Sequence, residues 1–168
     1  MRWYWIDRFV AFESGRMAKA VKNISLAEEH LHDHFPGYPV MPNVLVIEGV
    51  AQTGGLLVGE YNGFREKVVL AKVQKAVFHC EAVPGDTLLY TAIVENIHPH
   101  GAAVQATSHK GDVLQAELEL VFAHLRSDVG GRELFEAGTL THMMRILRAY
   151  EVGVAADGSA LREPDAEA

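Results

Sequence analysis

The chain has 168 residues, 49% of them apolar, which predicts one domain with a well-formed core and argues against general disorder. The net charge is −7 and no cluster of lysine and arginine stands out, so a nucleic acid is not expected as a partner. The single cysteine, Cys80, excludes an intrachain disulfide and suits a reducing compartment.

The location of the protein is suggested by its most apolar segments. The first residues, MRWYWIDRF, lack the basic start, apolar stretch and cleavage site of a secretory signal. The longest apolar run, 44–58, is too short to cross a bilayer and carries Glu48 and Gln52 in its middle. We therefore expect a cytoplasmic protein without a membrane span.

The first predicted elements are two strands within residues 8–25, followed by a loop at 30–42. Three prolines stiffen this loop, because each fixes its own φ angle and keeps the preceding residue out of the helical region. A long helix is then predicted from Asn43, as its N-cap, to residues 62–63. Its apolar residues surround the whole circumference, which predicts burial on every side, and its glycines predict close approach of the surrounding backbone.

The segment 67–125 changes to a period of two, most clearly at 113–122, where apolar and polar residues alternate. Short strands separated by tight turns are expected to pair antiparallel. They are predicted at about 68–80, 87–97, 102–109 and 112–125.

The chain is predicted to divide into a main domain, 1–125, and a C-terminal extension, 126–168. A weaker helical spacing predicts a helix at about 133–150 in the extension. The small and acidic residues from about 156 onwards predict a disordered tail.

Glu48 is a candidate general acid because it lies in the middle of the apolar helix, where an ionised carboxylate is costly to bury. Desolvation favours the protonated form, which a general acid requires. Gln52 lies four residues further on the same helical face and is expected to orient the carboxyl by a hydrogen bond. A purely structural carboxylate held by Gln52 is the alternative.

His34 is a candidate base on the stiff loop, since histidine is the usual side chain for removing a proton near neutral pH. A structural or merely exposed loop histidine is the alternative. His30, His32 and His34 also alternate, and on a strand they would present three imidazoles for a metal ion. Cys80 lacks a local motif that would make it a nucleophile. We expect neither a metal nor a cofactor.

The combined pattern resembles the FabZ/FabA group of 3-hydroxyacyl-acyl-carrier-protein dehydratases. The resemblance covers about residues 5–125 and implies the α+β hot-dog fold, in which an antiparallel sheet wraps a long central helix. The residues that carry it are His34-Phe35-Pro36-Gly37, Pro39-Val40-Met41-Pro42, Glu48 with Ala51-Gln52, and the later turn Val83-Pro84-Gly85-Asp86.

In that family two subunits pair, and each site takes its histidine from one subunit and its carboxylate from the other. The resemblance implies that His34 removes the α-proton of the thioester and that Glu48 of the partner subunit protonates the leaving hydroxyl. It also implies that the carbonyl of Val40 holds the His34 ring. The start of a helix suits a developing negative charge. The implied donors to the enolate-like oxygen are the backbone N–H groups of Gly37, Asn43 and Val44.

The implied partner is an acyl carrier protein, and the implied assembly is a homodimer, with a trimer of dimers as the family's usual state. A glutamate at position 48 resembles the branch that dehydrates without isomerising. Asn43 replaces the family's usual glycine, and its side chain either caps the helix or intrudes on the thioester carbonyl.

Carrier proteins are acidic, so a rim of basic residues is expected around the entrance to the site. The cations available for it are Arg16, Lys19, Lys72 and Lys75.

Two other functions fit the same fold. A hot-dog thioesterase would hydrolyse the acyl thioester, and a non-catalytic module would only hold the acyl chain. The presence of both His34 and Glu48 argues against the non-catalytic module.

Overall fold

A computed structural model of the chain describes residues 3–125 and 137–164. The hairpin predicted within residues 8–25 and the four strands predicted within 67–125 lie within a few residues of their predicted positions. In chain order the elements are β1 (Arg8–Glu13), β2 (Met17–Asn23), α1 (His30–Asp33), α2 (Asn43–Tyr61), β3 (Lys67–Phe78), β4 (Thr87–His98), β5 (Gly101–Lys110), β6 (Val113–Leu125), α3 (Ala137–Ile146), α4 (Ala149–Val152) and β7 (Gly153–Val154).

Within the described residues the strands form one seven-stranded sheet in the order β3-β6-β5-β4-β2-β1-β7. All neighbouring strands are antiparallel except β1 and β7, which are parallel. Helix α2 packs against the five strands from β2 to β6, so the sheet curves around it. The predicted α+β hot-dog architecture is confirmed. Among the described residues, no helix is both long enough and apolar enough to cross a membrane.

Helix α2 lies close to the backbone around it, as its glycines predicted. A Cβ atom on Gly49 would lie 2.7 Å from the carbonyl oxygen of Trp5 and 2.6 Å from the ring of Tyr90. Those separations are shorter than van der Waals contact, so only glycine fits here. Val50 and Leu57, on the same helix, are fully buried in the core.

Two predictions for α2 are wrong. The N-cap is Pro42 and not Asn43, which is the first helical residue. The helix is not buried on every side, since Val44 is 67% exposed and Glu48 is only half-buried. The physical reason is that the sheet of one chain covers only part of the helix circumference.

The C-terminal extension packs on the main sheet. Its strand β7 pairs with β1 and adds one strand to that sheet. The predicted helix is divided in two because Arg148 adopts a left-handed conformation (φ 60°) between α3 and α4. Residues 133–136 of that prediction, and residues 126–132, lie outside the described part. The division of the chain at 125/126 stays a prediction.

The predicted disordered tail is wrong for residues 156–164, and residues 165–168 of that prediction lie outside the described part. Leu161 is 6% exposed, and its N–H donates to the carbonyl of Gly153 at 2.9 Å. Arg145 of α3 forms an ion pair with Glu163. An apolar side chain and a charged one therefore attach this segment to the fold, although its composition is small and acidic.

Candidate active site

The loop before α2 holds His34 in a defined orientation. The His34 carbonyl accepts a hydrogen bond from the Val40 N–H at 2.8 Å, and Nδ1 of the ring lies 2.8 Å from the Val40 carbonyl. Because a carbonyl can only accept, Nδ1 carries the proton in this hydrogen bond. The free lone pair is then on Nε2, and this is the tautomer in which Nε2 can accept a proton as a base.

The turn after His34 is closed by reciprocal hydrogen bonds between the backbones of Phe35 and Tyr38, at 3.0 and 2.9 Å. Gly37 lies in this turn with a φ of 82°, a conformation that side chains disfavour. The Tyr38 hydroxyl donates to Glu81 at 2.5 Å, and this bond raises the pKa of Tyr38. The turn is thus linked to the segment that follows β3.

A cavity of about 380 Å³ lies beside the His34 ring. Asn43 and Val44, the first two residues of α2, line it, whereas Gly37 does not. N–H groups in the first turn of a helix have no intrahelical acceptor and are available to a ligand. The full lining is His34, Phe35, Tyr38, Val40, Met41, Pro42, Asn43, Val44 and Glu81.

The side-chain amide of Gln52 holds Glu48. Its Nε2 donates to Glu48 Oε1 at 3.0 Å and to the carbonyl of Trp3 at 2.9 Å. Its Oε1 accepts from the Trp5 N–H at 2.8 Å. The Trp5 N–H requires an acceptor, so the amide has one allowed orientation and presents an N–H to Glu48.

The contribution of Trp3 and Trp5 was missed by the sequence reasoning. Both bonds to Gln52 use backbone atoms: any residue type would supply the carbonyl of residue 3, and any except proline the N–H of residue 5. No residue pattern therefore signals them.

Glu48 borders a second cavity of about 440 Å³, which is distinct from the His34 cavity. Its other walls come from β3, β6, α3 and the N-terminal segment. The lining residues are Trp3, Glu48, Ala51, Gln52, Gly55, Leu56, Val68, Val69, Leu70, Phe122, Leu140 and Met143. Within one chain, the candidate base and the candidate acid thus face different cavities.

The alternation of His30, His32 and His34 does not produce a three-imidazole face, because His30 and His32 lie in the short helix α1. His32 Nε2 lies 3.1 Å from the Leu26 carbonyl, and His30 packs edge-on against Trp5. Burial lowers the pKa of His30. In the described ranges, no group of three histidine, cysteine or acidic residues is arranged to hold a metal ion.

The four candidate cations of the basic rim come from two separate parts of the sheet. Lys19 lies in β2, and Arg16 in the turn before it, while Lys72 and Lys75 lie in β3. Arg16 forms an ion pair with Glu13, and Lys75 Nζ lies 4.0 Å from Glu119 Oε1. In one chain they do not form a continuous patch.

Comparison with known proteins places the chain in a family. The FabA-like domain matches residues 3–121. The 3-hydroxyacyl-[acyl-carrier-protein] dehydratase FabZ of Pelotomaculum thermopropionicum is 38% identical over 119 residues, which is 70% of this chain and 85% of that protein. The protein of the same name from Desulforamulus reducens is 38% identical, with 70% and 84% covered. The chain belongs to the FabA-like family.

Solved structures share the architecture of this FabA-like chain. A conserved protein of Pseudomonas aeruginosa superposes with a TM-score of 0.58 at 21% identity, covering 70% of this chain and 87% of that one. A Streptococcus mutans protein solved with acetyl-CoA bound gives 0.60 at 17% identity, covering 74% and 92%. At such low identity the likeness concerns the fold alone.

Proposed function

We propose that this FabA-like protein removes water from a 3-hydroxyacyl thioester carried by an acyl carrier protein, giving the trans-2-enoyl thioester. The proposal rests on a candidate base, His34, and a candidate acid, Glu48, each held by a hydrogen bond. They occur in a chain that is 38% identical to a 3-hydroxyacyl-[acyl-carrier-protein] dehydratase FabZ. His34 presents Nε2 because Val40 holds its Nδ1, and Glu48 is oriented by Gln52.

In the proposed reaction, Nε2 of His34 takes a proton from C2 of the thioester. The electron pair of that C–H bond forms the C2–C3 double bond as the bond from C3 to the hydroxyl oxygen breaks. Glu48 gives its proton to the leaving hydroxyl, so water departs. Return of the proton from His34 to Glu48 restores both groups for the next turnover.

Negative charge that develops on the thioester oxygen is proposed to be stabilised by backbone N–H groups of Asn43 and Val44, with Gly37 as a further donor. The first two line the His34 cavity at the positive end of α2. Loss of one such donor typically costs on the order of 10²–10³ in rate.

The site is proposed to be shared between two chains, because His34 and Glu48 line different cavities in one chain. An open sheet edge supports this arrangement. Strand β3 lies at the end of the sheet, and residues 70–77 within it are exposed on both faces. A long unpaired edge is a template for pairing with another strand. We propose that two copies pair at β3, and a trimer of such dimers is the assembly expected from the family resemblance.

The same proposal places the protein in the cytoplasm and makes an acidic carrier protein its partner. Pairing of two chains would bring additional cations to each site entrance, and this would supply the basic rim that one chain lacks.

The proposal is tested by hydration of a trans-2-enoyl thioester, the reverse of the proposed reaction. His34→Ala and Glu48→Gln are each expected to abolish hydration while the fold remains intact by circular dichroism. The matched controls are His98→Ala and Glu95→Gln, which alter exposed residues on the sheet. Full activity in either site variant would contradict the assignment.

The same assay separates the two alternatives. Release of free thiol without hydration would identify a thioesterase. Binding of the thioester without either reaction would identify a non-catalytic module.

A further inference from the structure

The C-terminal extension contributes to the Glu48 cavity. Leu140 and Met143 of α3 line it, opposite residues of the central helix and of β3. The FabA-like match ends at residue 121, so these two side chains lie outside the part of the chain that the family shares. They are therefore a feature of this chain that the family reaction does not account for.

Helix α3 is fixed by its other face. Met144 of α3 is 0% exposed, and Leu147, which directly follows the helix, is 1% exposed. The Leu147 carbonyl accepts a hydrogen bond from the Phe9 N–H at 2.8 Å. Leu140 and Met143 pack against the core and are only partly buried. The helix is thus anchored in the main domain while these two side chains remain at the cavity wall.

The chemistry of the cavity matches an apolar chain with a reactive polar end. Polar side chains line it at one place only among the described residues, where Glu48 lies beside Gln52. Around the rest of the cavity the walls are apolar, from Val68 and Leu70 of β3 to Phe122 of β6. Space of this kind favours hydrocarbon, since apolar surface leaves water on binding.

The position of Glu48 defines which part of a substrate lies in this space. In the proposed reaction the Glu48 carboxyl meets the oxygen on C3 of the acyl chain. The carbons beyond C3 must then continue from that point, and the apolar cavity is the space that begins there.

We propose that Leu140 and Met143 contact the distal carbons of the acyl chain and limit the chain length that the enzyme accepts. This inference rests on the proposed function, because it assumes that Glu48 acts at C3. Leu140 and Met143 are specificity residues and take no part in proton transfer.

The test compares hydration of crotonyl, octenoyl and dodecenoyl thioesters, as the trans-2-enoyl forms, by kcat/KM. Leu140→Ala and Met143→Ala enlarge the cavity and are expected to raise the dodecenoyl-to-crotonyl ratio about tenfold, since a methylene in an apolar pocket changes specificity by roughly 10–200-fold. Leu140→Phe fills the cavity and is expected to lower the same ratio. Ile146→Ala is the matched control, because Ile146 lies on the same helix, is 49% exposed and does not line the cavity.

The outcomes separate this inference from the function on which it rests. A wild-type protein that hydrates at least one thioester, with a ratio unchanged in all three cavity variants, would overturn the inference and leave the dehydratase assignment standing. A wild-type protein that hydrates none of them would overturn both. Thermal unfolding identifies any alanine variant that fails to fold, and Leu140→Phe then decides the question.

Discussion

Gln52 makes three hydrogen bonds with its side-chain amide, and their pattern determines which atom faces Glu48. Nε2 faces both Glu48 and the Trp3 carbonyl, while Oε1 accepts from the Trp5 N–H. In the proposed reaction Gln52 is therefore a positioning residue, which acts on the substrate only through the carboxyl that it orients. The N-terminal segment contributes to the site in the same indirect way.

Gln52→Leu is expected to lower kcat about tenfold with a smaller effect on KM, because Glu48 loses one hydrogen bond worth about 1 kcal/mol and some of its orientation. Steady-state hydration kinetics measure the two constants separately. Gln105→Leu is the matched control, since Gln105 bonds Glu95 on an exposed part of the sheet. Equal losses in both variants would show that Gln52 has no special role.

Glu60 gives a prediction about stability and pH. Burial raises the pKa of its carboxyl in the folded protein. A raised pKa means that the folded chain holds this proton more tightly than the unfolded chain does. Its contribution to stability is therefore present at acidic pH and is lost as the pH rises through the glutamate range.

Glu60→Gln removes this dependence. The Tm of the variant minus the Tm of the wild type is expected to increase from acidic to neutral pH. Glu29→Gln, at an exposed position, is the control and should show no such trend. A difference in Tm that falls as the pH rises would contradict the raised pKa of the buried Glu60 carboxyl.

At the scale of the elements, strands β3–β6 were predictable because alternation and tight turns are local signals. The division between α3 and α4 was not, because the left-handed conformation of Arg148 has no signal in the residue type. The burial of Leu161 was not either, because the surrounding residues are small and acidic. Asn43 illustrates a different limit. Its type suits an N-cap, but the stiff backbone at Pro42 determines where the helix begins.

Strand β3 gives a prediction about assembly. Val73→Glu places a charge on the exposed edge strand, where the side chain is 38% exposed, and is expected to dissociate the proposed dimer and remove activity. Light scattering measures the mass. Val113→Glu, at a 55% exposed position on β6, is the matched control and should remain dimeric. An active Val73→Glu monomer would rule out the shared site.

The C-terminal segment gives a prediction about stability. Leu161→Ala removes a buried side chain and is expected to lower the free energy of unfolding by about 2–3 kcal/mol. Leu26→Ala, at an exposed position, should change it by less than about 0.5 kcal/mol. Urea titration measures both. No loss of stability in Leu161→Ala would restore the sequence-based expectation of a disordered tail.

At the scale of the whole molecule, the long motif in the sequence was enough to predict the candidate acid and base. Their positions relative to each other could not be predicted without the folded structure. His34 and Glu48 line different cavities, and only the folded arrangement of the sheet and the helix shows this. The position of Leu140 and Met143 at the Glu48 cavity could not be predicted either, because the pattern of α3 reveals an apolar face and not what that face contacts.

The shared site is tested most directly by mixing two inactive chains. His34→Ala and Glu48→Gln are each expected to be inactive alone, and the two chains are co-expressed so that mixed dimers form. Half of randomly paired dimers are mixed, and each contains one site with both groups intact, so about a quarter of wild-type activity is expected. Mixed dimers that are verified by mass and remain inactive would contradict the shared site of His34 and Glu48.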